Sequence, residues 1–91
     1  MALHDRIAAE LADNKSLAAL IWLIRQGREV EFTAGGRECF LSRSRAERYV
    51  SLWEGGVQQS FDTVEELVEN AVVAGQPFLS AWADARIETI F

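Results

Sequence analysis

The chain has one cysteine, one histidine and one proline among 91 residues. A lone Cys39 excludes an intramolecular disulfide. Together with a single His4 it falls short of the ligand set that a structural zinc site requires. The longest unbroken apolar run, residues 17–24, has eight residues, against about twenty needed to span a bilayer. The opening stretch MALHDRIAAE carries charges where a secretory signal would be apolar. These absences predict a cytoplasmic protein that does not enter membranes. No glycine-rich loop ends in Lys-Ser/Thr, so a P-loop is excluded and no cofactor is expected.

About half the residues are apolar (49%) and a quarter charged (25%), a balance that places the chain among globular proteins. No linker, repeat or low-complexity tract divides it. The expectation is a single domain over 1–91, with residues 1–15 as an N-terminal helical extension. A core in so short a chain only narrowly outweighs its conformational entropy, which makes oligomerisation worth expecting from length alone. Net charge is −5, which argues against nucleic acid as the default partner. The charge is uneven. Residues 50–91 hold seven acids and one arginine, whereas Arg37, Arg43, Arg45 and Arg48 crowd into twelve residues of the first half.

Leu3, Ile7, Ala8 and Leu11 recur at helical spacing. ADNKS (12–16) then interrupts, with Asn14 or Ser16 able to cap a second helix; a single bent helix is the alternative. Residues 17–24 are apolar on every side. Arg25-Gln26-Gly27 is a helix stop, because glycine accepts the left-handed C-cap conformation.

REVEFTA (28–34) alternates strictly, placing Val30, Phe32 and Ala34 on one face. Gly35-Gly36 suits a two-residue type I′ turn, which needs positive φ at both positions. That loop length pairs Ala34 with Arg37, Phe32 with Cys39 and Val30 with Leu41. Cys39 and Leu41 therefore join the buried side, and Phe40 points outward. RSRAE (43–47) reads as a connection. RYVSLWE (48–54), Gly55-Gly56 and VQQSF (57–61) repeat the hairpin logic, pairing Val50 with Phe61, Leu52 with Gln59, Ser51 with Ser60 and Trp53 with Gln58. Tyr49 and Trp53 then fall on the outer face beside Phe40.

FDTVEELVENAVVAG carries a helix start, with Asp62 as the expected cap and Glu65 three residues on. Val64, Leu67, Val68, Ala71 and Val72 form its stripe, and Gly75 is its expected end. PFLSAW (77–82) reads as a short helical turn. RIETIF (86–91) reads as a last strand, with Ile87 and Thr89 on one face and Glu88 and Ile90 on the other. The expected fold is α+β: a four- to five-stranded antiparallel meander packed on one face by helices, in the order α(α)-β-β-β-β-α-(short α)-β. Its expected core is Val30, Phe32, Cys39, Leu41, Val50, Leu52, Phe61, Leu67, Val68 and Val72, with part of residues 17–24.

The segments GREVEF and FDTVEELVENAVVAGQPFLSAW resemble small bacterial proteins of unassigned activity. Those carry a helix, a strand opening Gly-Arg/Lys-Glu-Ile/Val-Glu-Phe, an acidic helix of the EELLEN kind and a short segment closed by Trp. The resemblance spans roughly residues 20–90. It implies a fold and a bacterial setting, and no activity.

Catalytic equipment is sparse. His4 has only its neighbour Asp5 as an acidic partner, and Cys39 is expected to be buried and inert. Glu29, Glu31 and Glu38 share a flat strand face, not a cleft that would tune their pKa values. The chain is therefore read as non-enzymatic. Two features stand out from a solvated surface: the all-round apolar helix, and the outer rings Phe40, Tyr49 and Trp53. Large exposed apolar patches mark binding surfaces, and interface cores are rich in Trp, Tyr and Arg; the alternative for the rings is that residues 1–16 or 77–82 fold over that face within one chain. The expectation is a self-associating interaction module, a homodimer, with Leu20, Ile21, Trp22, Phe40, Tyr49 and Trp53 as contact residues and a further protein partner open. The alternative is a nucleic-acid or phospho-ligand patch made of Arg37, Arg43, Arg45 and Arg48, with Phe40 and Tyr49 as stacking surfaces.

Overall fold

The computed structural model describes residues 2–44 and 49–91. Two helices open the chain, α1 (Leu3–Asn14) and α2 (Leu17–Arg25). They are separate because Lys15 turns left-handed at φ +50°, closing α1 through its N–H to the Leu11 carbonyl. The Ser16 hydroxyl then caps α2 by accepting from the Ala19 N–H at 3.2 Å. α2 ends as its sequence requires. Gly27 takes φ +83°, and the Arg28 N–H reaches back to the Leu23 carbonyl at 3.0 Å in a Schellman arrangement.

Four strands follow: β1 (Val30–Ala34), β2 (Arg37–Ser44), β3 (Tyr49–Glu54) and β4 (Val57–Phe61). Both glycine pairs have positive φ throughout, the requirement of the type I′ turn. The expected registers hold at every stated pair, from Ala34 opposite Arg37 to Val50 opposite Phe61. β2 is longer than the sequence suggested. Arg43 and Ser44 continue the ladder opposite Val50 and Tyr49 where a connection was expected, because β3 offers them backbone partners.

α3 (Val64–Asn70) departs from expectation at both ends. Its cap is Thr63, not Asp62: the threonine hydroxyl accepts from the Glu66 N–H at 3.1 Å. The helix stops at Asn70, five residues before Gly75. The chain instead makes a small hairpin, β5 (Val72–Val73) and β6 (Gln76–Pro77), around Ala74 and Gly75, both at positive φ. Side chains of the main sheet drive the change. The Gln59 amide donates to the Val72 carbonyl at 2.6 Å and accepts from its N–H at 2.9 Å, and Glu54 accepts from the Ala74 N–H at 3.0 Å. Those bonds satisfy backbone groups that a longer helix would have bonded internally. Val72 is consequently exposed and Val73 buried, reversing the expected stripe.

α4 (Phe78–Ala83) and β7 (Arg86–Ile90) complete the chain. β7 pairs antiparallel with β1, giving the order β4-β3-β2-β1-β7. A bulge opposite Glu31 and Phe32 places both Ile87 and Ile90 against the core, where strict alternation had separated them. The helical layer covers one face. Phe78 and Trp82, one helical turn apart, stack at 5.6 Å and both meet Phe32 edge-on. Val30, Phe32, Cys39, Leu41, Val50, Leu52, Leu67 and Val68 are buried as expected, and Phe61 is half-buried. Among the described residues no helix is long and apolar enough to cross a membrane.

Candidate interaction surface

Alternation puts a second set of side chains on the side of the sheet away from the helices. Successive register pairs string Gln58, Trp53, Phe40, Glu31 and Thr89 into one row across all five strands. Phe40 and Trp53 are directly opposed, and Trp53 is 37% exposed. Tyr49 shares this face two pleats along β3, half-buried. The C-terminal Phe91 is held by its N–H on the Glu29 carbonyl at 2.9 Å, and its ring meets Phe40 edge-on at 6.3 Å. Sequence alternation missed Phe91 because the β7 bulge shifts the parity of everything after Ile87.

The rest of the face is polar. Buried Ser51 accepts from the Gln58 amide at 2.8 Å, and that amide also donates to Ser60 at 3.0 Å. At the other side, Glu88 accepts from Thr33 at 3.1 Å, with Arg86 3.9 Å away. A shallow depression of about 280 Å³ lies among Glu31, Glu38, Phe40, Trp53 and the Gly55-Gly56 turn.

The six expected contact residues are not one patch. Leu20 is fully buried and belongs to the core. Ile21 and Trp22 are half-buried on α2, which packs against α1. α1 thus supplies the cover that an all-round apolar helix needs. Only Phe40, Tyr49 and Trp53 share the outer face.

Of the arginines in the expected patch, the two described ones likewise stand apart. Arg37 and Arg43 stand on the helix side of β2, at opposite ends, away from the rings. Arg37 lies 3.7 Å from Glu54, and Arg43 donates to the Arg25 carbonyl at 2.6 Å. Arg45 and Arg48 fall outside the described residues. A cleft of about 390 Å³ near Arg43 also contains Arg25, Asp62 and Glu65, and Arg25 pairs with Glu65, so its charges are balanced locally.

Cys39 is buried on the helix side. Desolvation first, and the Glu54 carboxylate second, push its thiol up to about 11 against the opposing pull of Arg37. A thiol so held is protonated at neutral pH and is not a nucleophile. His4 Nδ1 lies 3.4 Å from Asp5 at the opening of α1. Among the described residues no three His, Cys, Asp or Glu side chains converge as metal ligands.

No family model, curated protein or solved structure matches this chain. The functional reading rests on its own geometry.

Proposed function

We propose that this chain is a non-enzymatic interaction module that self-associates. The observation that carries the interaction reading is the one-sided cover of the sheet, and self-association is favoured by the uncovered edge strand β4, where Val57 is 66% exposed. The helices occupy one face, and the other leaves Trp53 exposed beside Phe40, with Tyr49 and Phe91 on the same surface. A tryptophan in such a position offers a large rigid contact area at little entropic cost. The buried, protonated Cys39 supplies no activated nucleophile, which favours binding over chemistry. Light scattering on the full chain tests self-association. The expected result is a mass near twice 10.2 kDa, and a monodisperse monomer at every concentration removes the proposal.

A further inference from the structure

Self-association needs a seam, and the two edges of the sheet differ in how they are guarded. β7 carries Arg86 and Glu88 and is bulged against β1, the usual devices that stop an edge from accepting another strand. β4 reads VQQSF, with no charge, proline or bulge, and it terminates the sheet. Glu54 and Val57 close the two-residue turn as a hydrogen-bonded pair, so bonding to β3 alternates from there. The N–H and C=O groups of Gln58 and Ser60 therefore point away from the sheet. Among the described residues no backbone group meets them.

Resting on the self-association reading, we propose that a second copy of this chain pairs with β4 antiparallel about a two-fold axis at Gln59, making one continuous sheet through the dimer. The register is self-complementary. Each Gln58 opposes the partner's Ser60, using all the outward backbone groups of both residues in about four ladder bonds. On the helix side, Val57, 66% exposed in the single chain, opposes the partner's Phe61, which is half-buried. Val72, 48% exposed and tied to Gln59 by two hydrogen bonds, comes to the seam with it. Pairing thus gives two otherwise wet apolar side chains a place to go. The outer face is a poorer seam between copies. Among the described residues, Glu29, Glu31, Glu38 and Glu88 outnumber Arg86 on that face, and like charges brought together there repel. A seam at β4 instead leaves both Trp53 positions on one enlarged outer surface, three strand spacings across and two residues along, roughly 16 Å apart.

The test is sedimentation equilibrium and amide exchange on the full chain. Wild type is expected at the dimer mass, with the Gln58 and Ser60 amides protected. Val57→Lys sets a cation opposite Glu54 within the chain and buries a charge at the seam. Ser60→Pro deletes an outward N–H that β3 does not use. Each is expected to give a folded monomer in which the Gln58 amide exchanges freely, and Trp53→Ala is expected to remain a dimer. A dimeric wild type whose Gln58 and Ser60 amides exchange freely, or one unaffected by Val57→Lys, overturns the β4 seam and leaves self-association standing. A wild type that is monomeric throughout overturns both. Should Ser60→Pro not fold, the Val57→Lys result decides.

Discussion

Lys15 and Trp82, 67 residues apart, bond each other in both directions. The Lys15 ammonium donates to the carbonyls of Trp82 and Ala83 at 2.9 and 2.7 Å, at the C-terminal end of α4 where the helix dipole favours a cation. The Trp82 indole N–H returns the contact, donating to the Lys15 carbonyl at 3.1 Å. The left-handed residue that separates α1 from α2 is thereby locked to the helix that packs over Phe32.

Trp82→Phe is expected to lose the indole bond and some packing volume, costing about 1–2 kcal/mol in urea unfolding. Lys15→Met keeps the aliphatic stem and loses the ammonium, for a cost of about 0.5–1 kcal/mol. The two losses should be less than additive in the double variant, because they dismantle one joint.

Gly35 and Gly36 sit in one turn but should respond differently to alanine. Both have positive φ. A Cβ at Gly35 would also stand 2.6 Å from the Ala74 Cβ, whereas one at Gly36 meets nothing within 4 Å. Gly36→Ala is expected to cost about 1 kcal/mol of backbone strain, and Gly35→Ala about 2 kcal/mol or more. Ala74→Gly should recover part of the Gly35→Ala loss, since Ala74 is itself left-handed at φ +51°.

Thr63→Ala removes the hydroxyl that caps α3 and should cost about 1 kcal/mol. Asp62→Ala should stay within about 0.5 kcal/mol, as expected for a surface position that makes no cap. A larger loss from Asp62→Ala than from Thr63→Ala would place the cap on Asp62 instead.

Cys39 makes stability depend on alkaline pH. Its thiol ionises at about 11 when folded, against 9.0 for the unperturbed group. Between these values the unfolded chain has released a proton that the folded chain retains, so stability falls as pH rises. The stability is fully present below about pH 9 and lost as pH climbs toward 11. Urea midpoints measured across that range should decline less steeply for Cys39→Ala than for wild type.

Much of this architecture is legible from neighbouring residues alone. A Gly-Gly pair at positive φ fixes a two-residue turn, and a turn of known length fixes register. The faces of Phe40, Trp53, Cys39 and Leu41 follow from it without knowledge of the rest. The Ser16 and Gly27 helix ends were equally local, since each is satisfied within four or five residues.

What was hidden depended on residues distant in sequence. The helix expected to reach Gly75 ends at Asn70 because Gln59 and Glu54 arrive from the sheet with bonds that no window around Val72 contains. Ile90 turns inward because β7 meets β1 through a bulge, and alternation within RIETIF carries no sign of it. Leu20 is buried because α1 and the sheet enclose α2 from two sides. Sequence sets the short-range bonds and turns, whose partners are close along the chain. Tertiary structure decides which longer-range partner each remaining polar group and apolar face finds, because only the assembled layers bring those partners within reach.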